Sequence, residues 1–276
     1  MPIQVLHVQK LLTDSETEAL KGKFLDVQHA ATVLTNDADV YGPDGRLLLK
    51  FRKNVFSLTE INNMYHAIKD FAKKTTTNRG VASASEPGTK TGQKIAVASN
   101  IMGYFDSWSV SQRAKFKREG IQPPAPCREC RFNKSYPEQW AKCIPMIQTI
   151  DRLYSELCPE YHAHQLESAN RTPYRIANTA FSTITTNLNF RTAAHTDSGD
   201  WPSGFGNLTV ITDGESYTGG YTCFPQYGLA VDCRMGDFVA MDVHQVHGNI
   251  PRDNQNGNRL SIVCYLREGI IKKSEQ

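Results

Sequence analysis

Hydrophobic and polar residues follow two different periods along the chain, and the change comes near residue 175. In residues 144–157 an apolar side chain recurs every three or four positions, which predicts a helix over roughly 146–157 that ends before Pro159. Thr13-Asp14-Ser15-Glu16 has the spacing of a capping box, and Thr59 opens another stretch with apolar residues at helical intervals. Residues 1–174 are therefore predicted to be mainly helical.

After residue 175 short apolar runs alternate with polar residues, which is typical of β-strands. The predicted strands are 181–190, 208–212, 221–224, 229–232, 237–243 and 260–266. The turn-forming pairs between them are Asp213-Gly214, Gly219-Gly220, Met235-Gly236 and Asn256-Gly257. Many short strands at close spacing indicate an antiparallel sandwich or barrel. We therefore expect one domain, residues 1–276, in which the helical portion packs on a β core in residues 175–276.

The composition is that of an ordinary globular protein. The 276 residues are 39% hydrophobic and 21% charged. No apolar run approaches the ~20 residues of a membrane-spanning helix, and the first residues lack the apolar core of a signal peptide. We expect a monomeric intracellular protein, nuclear or cytoplasmic and not secreted, with a viral or phage source left open and no membrane or protein partner implied. Seven cysteines then read as reduced thiols.

The charge is small in sum but unevenly divided. Lys and Arg number 31 against 28 Asp and Glu, a net charge of +3. Residues 1–170 carry a net charge of +4, and residues 171–276 carry −1. Two basic clusters in the first part are either solvated faces or surfaces that contact phosphates. One contains Arg46, Lys50, Arg52 and Lys53, and the other contains Arg113, Lys115, Lys117, Arg118, Arg128, Arg131 and Lys134.

His195-Thr196-Asp197, followed by His247, is the strongest candidate for chemistry. Side chains at i and i+2 of an extended segment point to the same side, so His195 and Asp197 can bind one ion. Two imidazoles and one carboxylate are the ligand set of non-haem Fe(II), which leaves positions open for oxygen and a co-substrate. In a jelly roll, the 52 residues to His247 can fold back to the same place. His244 is the alternative ligand, and the run His-Gly-Asn-Ile-Pro favours His247.

Arg259 and Ser261 are candidates for anchoring a dicarboxylate co-substrate. Arg259 follows His247 by 12 residues, at the head of a predicted strand, and a guanidinium can bind a carboxylate through two parallel hydrogen bonds. Ser261 faces the same way and adds a hydroxyl donor. The order and spacing of these motifs together indicate an iron site beside a binding site for 2-oxoglutarate.

Cys127-x2-Cys130, with Cys143 and Cys158, raises a second metal site as an alternative. The first pair has the spacing of a zinc knuckle, but the other two cysteines are not a close pair. Buried thiols are therefore the favoured interpretation, and zinc is left open.

The segment from Asn187 to Glu268 resembles the TET/JBP family of 2-oxoglutarate- and Fe(II)-dependent oxygenases of nucleic-acid bases, in particular its JBP-like viral, fungal and protist members. The resemblance is carried by NLNFRTAAHTDSGDWPSGFGNLTVI, GGYTCFPQYGLAVDCRMGDFVAMDVHQVHGN and NRLSIVCYLRE. Upstream, LLLKFRKNV, Asn78-Arg79-Gly80 and Asn178-Thr179-Ala180-Phe181 also look like that group.

The resemblance implies an α+β fold whose core is a double-stranded β-helix, a jelly roll. It implies iron held by His195, Asp197 and His247, and 2-oxoglutarate held by Arg259, with Ser261 and Asn187 as further candidates. The reaction it implies is oxidation of the 5-methyl group of thymine or 5-methylcytosine in DNA by O2, with decarboxylation of 2-oxoglutarate to succinate.

A base in a duplex must leave the stack to reach a buried iron. Candidate contacts to the substrate are Arg191, Asp200, Trp201, Arg52 and Arg79, and candidate contacts to the DNA backbone are Lys50, Lys53, Lys115, Lys117, Arg118, Arg128 and Arg131. Phe205 and Tyr217 are further aromatic candidates, although core packing is the favoured role for each aromatic residue. Arg191 can instead pair with Asp200 and brace the loop between them.

Two other functions stay open at the level of sequence. One keeps the cofactor chemistry and moves it to a free nucleotide, an amino acid or a peptide. The other is an inactive β sandwich that reads modified bases, which is least favoured because the metal set and the carboxylate anchor are present in one chain.

Overall fold

The computed structural model describes residues 2–85, 90, 93–212, 217–252 and 257–275, which contain thirteen β-strands and seven α-helices. The strands are β1 (Gln4–His7), β2 (Thr32–Leu34), β3 (Ala38–Tyr41), β4 (Leu47–Arg52), β5 (Ser99–Phe105), β6 (Arg128–Glu129), β7 (Thr183–Leu188), β8 (Gly206–Ile211), β9 (Thr222–Phe224), β10 (Leu229–Val231), β11 (Phe238–Met241), β12 (Gly248–Asn249) and β13 (Leu260–Tyr265). The helices are α1 (Asp14–Glu18), α2 (Leu58–Ala72), α3 (Val110–Glu119), α4 (Arg131–Ser135), α5 (Pro137–Leu157), α6 (Pro159–Ala169) and α7 (Glu268–Ser274).

The strands form two sheets that pack face to face. Nine strands make the larger sheet, in the order β1-β3-β4-β11-β8-β13-β7-β5-β6, and four make the smaller one, in the order β12-β9-β10-β2. Side chains of β4, β8 and β11 in the larger sheet pack against those of β9 and β10 in the smaller one. Helices α2 and α5 pack together and cover the opposite face of the larger sheet. The fold is therefore α+β with a jelly-roll core, as predicted.

Residues 1–174 are less helical than predicted, because within the described part of the chain they contribute six of the strands. β3 and β4 extend the larger sheet beyond β11, and β5 and β6 extend it beyond β7. In β4 four of the six residues are buried, including two adjacent pairs, so buried and partly exposed positions do not alternate. Strands from both portions of the chain are thus hydrogen-bonded in one sheet.

The helix ends follow local capping. α1 has the predicted capping box between Thr13 and Glu16 but ends at Glu18. α2 begins after Ser57, which exchanges hydrogen bonds with Glu60, and not at Thr59. α5 begins at Pro137, nine residues before the predicted start. The predicted turn Asp213-Gly214 and the first residue of Asn256-Gly257 lie outside the described residues.

Alternate residues of β13 and its flanks face two different environments. Leu260, Ile262 and Cys264 pack into the core between the larger sheet and the helices. Arg259, Ser261, Val263, Tyr265 and Arg267 line a cavity between the two sheets. This alternation places five side chains along one wall of the cavity. In the described residues, no helix combines the length and apolar character needed to cross a membrane.

Candidate metal centre and substrate cavity

His195 and His247 are held side by side by a pair of main-chain hydrogen bonds. The N–H of each residue donates to the carbonyl of the other at 2.9 Å, and the ring centroids are 4.5 Å apart. Asp197 carboxylate oxygens lie 3.5 Å from Nε2 of His195 and 3.7 Å from Nε2 of His247. One ligand atom from each of the three residues lies within 4.8 Å of the others, and among the described residues no second group of this kind is found. The predicted triad thus converges on one point.

Both imidazoles present the same nitrogen to that point. Nδ1 of His195 lies 2.8 Å from the carbonyl of Ala193, and Nδ1 of His247 lies 2.9 Å from the carbonyl of Gln245. A carbonyl only accepts, so each Nδ1 carries the proton and each Nε2 keeps a free lone pair, as a metal ligand must. His244 turns its Nδ1 to a carboxylate at 3.2 Å and is not part of the group.

The charges also suit a divalent transition metal. Burial and the adjacent His195 lower the pKa of His247 to about 4, so this ring is neutral near pH 7. Burial opposes ionisation of Asp197, but a proton on Nε2 of His195 outweighs it and holds the pKa of Asp197 below its ordinary value, and a bound metal cation would replace that proton. Burial likewise lowers the pKa of His195, and Asp197 more than reverses this. Two imidazoles and an ionised carboxylate are the donor set that Fe(II) takes.

Gly248 lets the two histidine segments approach each other. A Cβ at this position would lie 3.1 Å from main-chain atoms of Ala193 and Ala194, which directly precede His195. Those atoms cannot retreat without moving the metal group. The close approach of two backbones therefore favours glycine here.

Arg259, Ser261 and Asn187 meet at one end of a cavity of about 550 Å3 that also contains the metal group. Arg259 is 7% exposed, and its Nη1 donates to Oγ of Ser261 at 3.2 Å. Its main chain is fixed by Asn189, which exchanges hydrogen bonds with it at 2.7 and 2.8 Å. Within the described ranges no carboxylate forms an ion pair with Arg259. A buried guanidinium with donors to spare is suited to a carboxylate ligand. We call this region the anchor end.

The far end of β13 defines the other end of the cavity, which we call the substrate end. Tyr265 lies four residues beyond Ser261, about 13 Å along an extended strand. Arg267 follows, and its Nε donates to Asp106 at 2.8 Å while its guanidinium packs on the ring of Phe105 at 4.2 Å. Tyr265, Arg267 and Phe105 all line the cavity.

Asp200 and Arg79, two predicted substrate contacts, also line the cavity. Burial, together with the charge of Asp197, raises the pKa of Asp200 well above its ordinary value, which favours a protonated carboxyl that can donate and accept. Burial lowers the pKa of Arg79, and its Nε is enclosed without a hydrogen-bond partner in the described structure. Both groups are therefore available to a polar ligand.

The first basic cluster lies outside the cavity, and its cations are already paired. Arg52 donates to Asp39 at 2.7 Å and to two main-chain carbonyls, and it is 8% exposed. Lys50 pairs with the same carboxylate at 3.1 Å, and Lys53 pairs with Asp237 at 2.8 Å. These ion pairs join β3, β4 and the segment before β11. The structure therefore does not bring Arg52, predicted to contact the substrate, or Lys50 and Lys53, predicted to contact the DNA backbone, to the cavity.

Arg191 and Trp201 lie outside the cavity as well. Arg191 pairs with Asp26 at 3.0 Å, and not with Asp200 as one alternative predicted. Trp201 packs in a small cluster at α7, with the guanidinium of Arg171 5.5 Å from its ring. Neither side chain is placed to stack on a ligand beside the metal group.

The remaining aromatic and cysteine candidates are core residues. Phe205 and Tyr217 are buried, which agrees with the favoured role in packing. The cysteines are buried and free, and burial raises the pKa of the Cys130, Cys143 and Cys158 thiols to about 12. In the described residues the cysteines form no metal-binding group, which agrees with the favoured interpretation as buried thiols.

Sequence reasoning missed Tyr265, Arg267 and Phe105. The first two carry a signal, because Arg-x-Ser-x-Val-x-Tyr-x-Arg continues the alternation that begins at Arg259. Phe105 carries none, since its place depends on the pairing of β5 with β7, more than 70 residues away in sequence.

Comparison with known proteins agrees with this geometry. Residues 116–268 match the Tet_JBP family model, which describes the oxygenase domain of the 2OGFeDO superfamily. The bifunctional helicase and thymine dioxygenase JBP2 of Leishmania tarentolae is 37% identical over 173 residues, which are 62% of this chain and 14% of that protein. Thymine dioxygenase JBP1 of Trypanosoma brucei brucei is 32% identical over 180 residues, which are 64% of this chain and 20% of that protein. The chain thus spans a fifth or less of these relatives.

A solved structure of NgTET1 in complex with 5mC DNA shares the fold. It has a TM-score of 0.57 with 12% identity, and the match covers 86% of this chain and 79% of that one. At this identity the likeness concerns the fold alone. The family match, by contrast, covers more than half of the chain and includes the metal group and Arg259. The chain therefore belongs to the Tet_JBP family of oxygenase domains in the 2OGFeDO superfamily.

Proposed function

We propose that this protein is a 2-oxoglutarate- and Fe(II)-dependent dioxygenase that oxidises the 5-methyl group of thymine or 5-methylcytosine in DNA. The observation that carries the proposal is a single cavity containing both the His195–Asp197–His247 group and the buried Arg259, which has no ion-pair partner among the described residues. The names of the two relatives, both thymine dioxygenases, and the DNA in the NgTET1 complex support the substrate class.

The residues of the metal group would hold Fe(II) through two Nε2 atoms and a carboxylate oxygen. Iron with 2-oxoglutarate and O2 supplies the oxidation, in which a methyl C–H becomes C–OH while 2-oxoglutarate becomes succinate and carbon dioxide. At the anchor end, Arg259 binds the distal carboxylate, and the hydroxyl of Ser261 and the amide of Asn187 complete its hydrogen bonds. This fixes the position of the co-substrate relative to the metal group.

At the substrate end, polar groups would receive the extruded base. Asp200, whose burial raises its pKa and favours the protonated form, can then donate to one atom and accept from another on the polar edge of a pyrimidine. Arg79 and Arg267 offer donors to its carbonyl oxygens or to an adjacent phosphate. Phe105 offers an aromatic face beside Arg267. A planar heterocycle needs this combination of a flat apolar contact and a few placed polar groups.

The test is product analysis on defined duplexes. Purified protein with Fe(II), ascorbate and 2-oxoglutarate is incubated with duplexes that contain thymine with or without 5-methylcytosine. The DNA is digested to nucleosides and examined by mass spectrometry, and succinate is measured in parallel. We expect a pyrimidine nucleoside heavier by one oxygen atom, about 16 Da, and one succinate for each oxidation.

His195→Ala and Asp197→Ala variants are the controls, and both should abolish succinate and product. Succinate formation without an oxidised base would move the substrate to a free nucleotide, an amino acid or a peptide. Absence of both in the wild type, with DNA still bound, would favour the inactive reader. Undiminished turnover in both variants would overturn the metal assignment.

A further inference from the structure

We propose that α3 is a DNA-binding arm whose cations hold the phosphate backbone beside the substrate end of the cavity. The inference rests on the proposed function, because it takes DNA as the substrate. It separates the two basic clusters: the cluster at β4 is structural, and that of α3 is free for a polyanion.

The arm comprises residues 106–128, with α3 in its middle, and it begins and ends beside the substrate end of the cavity. Its first leg continues from Phe105, which lines the cavity, through Asp106, the ion-pair partner of Arg267. Its second leg returns at Arg128, whose Nε donates to the carbonyl of Ser107 at 2.7 Å and whose guanidinium lies 5.2 Å from the ring of Phe105. Each leg is therefore fixed to Phe105 or Arg267, the two residues that we call the rim of the substrate end.

The helix itself makes few contacts with the rest of the molecule. Of the residues after Val110 in α3, Phe116 alone is half-buried and the rest are exposed. The ring of Phe116 meets that of Trp108 edge to face at 5.3 Å, and Nε1 of Trp108 donates to the carbonyl of Ala125 at 3.0 Å. A single tryptophan thus connects α3 to both legs, and it acts as a positioning residue.

The cations of α3 lack the partners that those of β4 possess. Arg113, Lys115 and Lys117 form no ion pair with any residue that the structure describes, and Arg118 has one at 3.5 Å with the adjacent Glu119. Four basic side chains within six residues concentrate positive charge on a helix about 15 Å long, roughly the length of nine phosphates counted over both strands. Free cations at this density are expected to bind a phosphate backbone, as they release counterions on contact.

Their position fits the requirement for an extruded base. A nucleotide that leaves the stack stays joined to its strand, so the backbone must pass close to the entrance of the cavity. The rim at Phe105 and Arg267 is where that strand would lie, and α3 projects from that rim.

The experiment measures the salt dependence of binding to a fluorescein-labelled 20-base-pair duplex containing 5-methylcytosine, by fluorescence anisotropy. A triple variant, R113Q/K115Q/K117Q, is compared with K73Q/K142Q/R152Q, which removes the same number of exposed cations from the C-cap of α2 and from α5. We expect the arm variant to flatten the plot of log K against log salt by about 1.8, because each phosphate contact contributes about 0.9 and Arg113 and Lys117 share one face of the helix. The control should keep the wild-type slope, and unchanged thermal unfolding should verify that both variants are folded.

The outcomes separate the arm from the proposed function. If the wild type binds DNA and the arm variant keeps its slope, the arm assignment is wrong while the oxygenase proposal stands. If the arm variant loses the slope but the wild type oxidises no DNA base, the arm is right and the proposed reaction is wrong. If the wild type shows no salt-dependent binding to the duplex, both are wrong. An equal loss of slope in the control variant would show that exposed cations anywhere on the molecule contribute as much as those of α3, and this would overturn the inference.

Discussion

At the scale of single residues, two main-chain carbonyl oxygens determine which ring nitrogen of His195 and of His247 carries the proton. Ala193 and Gln245 accept from the Nδ1 atoms through their main chains, so the choice of tautomer does not depend on the identity of their own side chains. The metal-binding form of both rings is therefore built into the backbone path of the two segments. This is a form of preorganisation that needs no carboxylate behind the histidines.

The first prediction concerns Arg259. Arg259→Ala should weaken binding of 2-oxoglutarate by about 30- to 1000-fold, because a paired guanidinium–carboxylate contact contributes about 2–4 kcal/mol. The dissociation constant is measured by calorimetry without oxygen in the presence of Mn(II). Arg46→Ala, which removes an exposed arginine, should leave it unchanged. Equal affinity in Arg259→Ala and wild type would show that another residue anchors the carboxylate.

The second prediction concerns Gly248. Gly248→Ala forces a methyl group against the backbone of Ala193 and Ala194, and overpacking of this kind costs about 1–3 kcal/mol. We expect lower stability and at least roughly tenfold weaker Mn(II) binding, because the histidines move apart. Gly42→Ala is the matched control, since its Cβ would meet only the movable carboxylate of Asp44 at 3.1 Å. Two outcomes would contradict this prediction: weakened Mn(II) binding in Gly42→Ala, or wild-type Mn(II) affinity in Gly248→Ala.

At the scale of elements, the start of α2 gives a direct test of capping. Ser57→Ala removes the side chain that accepts from the N–H of Glu60 and should lower the free energy of unfolding by about 1 kcal/mol. Thr59→Ala lies inside the helix and should be neutral or slightly stabilising, since alanine has the higher helix propensity. Urea denaturation of the two variants compares them. A larger loss of unfolding free energy in Thr59→Ala than in Ser57→Ala would instead support a start of α2 at Thr59, as predicted from the sequence.

The connection of α3 to the fold can be tested without any ligand. Trp108→Ala removes both the edge-to-face contact with Phe116 and the hydrogen bond to Ala125. Amide hydrogen exchange in α3 should rise at least roughly tenfold, while that of α5 stays as in the wild type. Trp108→Phe keeps the aromatic contact and should recover part of the protection. Unaltered exchange in Trp108→Ala would mean that other contacts hold the helix.

The sequence predicts individual elements well where local signals bound them. α1 was indicated by its capping box, although it ends before the apolar residues that follow, and α5 was indicated by its apolar periodicity. All six predicted C-terminal strands lie within two residues of the observed bounds, including 181–190, which is observed as Thr183–Leu188. β4 was missed although β8 is more completely buried, since β4 lies among segments with helical signals, whereas the strands after residue 175 follow one another between turn-forming pairs.

The candidate site divides in the same way. His195, Asp197 and His247 could be selected because their chemistry and spacing are local to two segments. The role of Arg52 and Lys53 could not, because it depends on Asp39 and Asp237, whose proximity is a property of the sheet. A cation in a sequence is a candidate for phosphate until the fold shows whether it already has a carboxylate.

At the scale of the whole molecule, metal binding should contribute to stability. The metal group joins the segment after β7 to the segment after β11 through Nε2 and carboxylate atoms, so an ion bound there favours the folded state. Mn(II) at about 100 times its dissociation constant should add about 2.7 kcal/mol to the free energy of unfolding. Differential scanning fluorimetry with and without EDTA measures the shift, and Asp197→Ala should abolish it. An equal shift in that variant would place the ion elsewhere.

The alternation along β13 has a consequence for how such a domain can diversify. Arg259 and Ser261 stand at one end of the strand and Tyr265 and Arg267 at the other, while the intervening even-numbered residues hold the strand against the helices. Related proteins can therefore change the cavity-lining residues at positions 265 and 267 and acquire a new substrate. Neither the anchor residues, Arg259 and Ser261, nor the packing of the even-numbered residues against the helices needs to change. Insertion of one residue in β13, by contrast, would turn the apolar side chains into the cavity, and binding would be lost at both the anchor end and the substrate end. Selection on this strand is thus expected to accept substitutions at one end and to reject changes in length throughout.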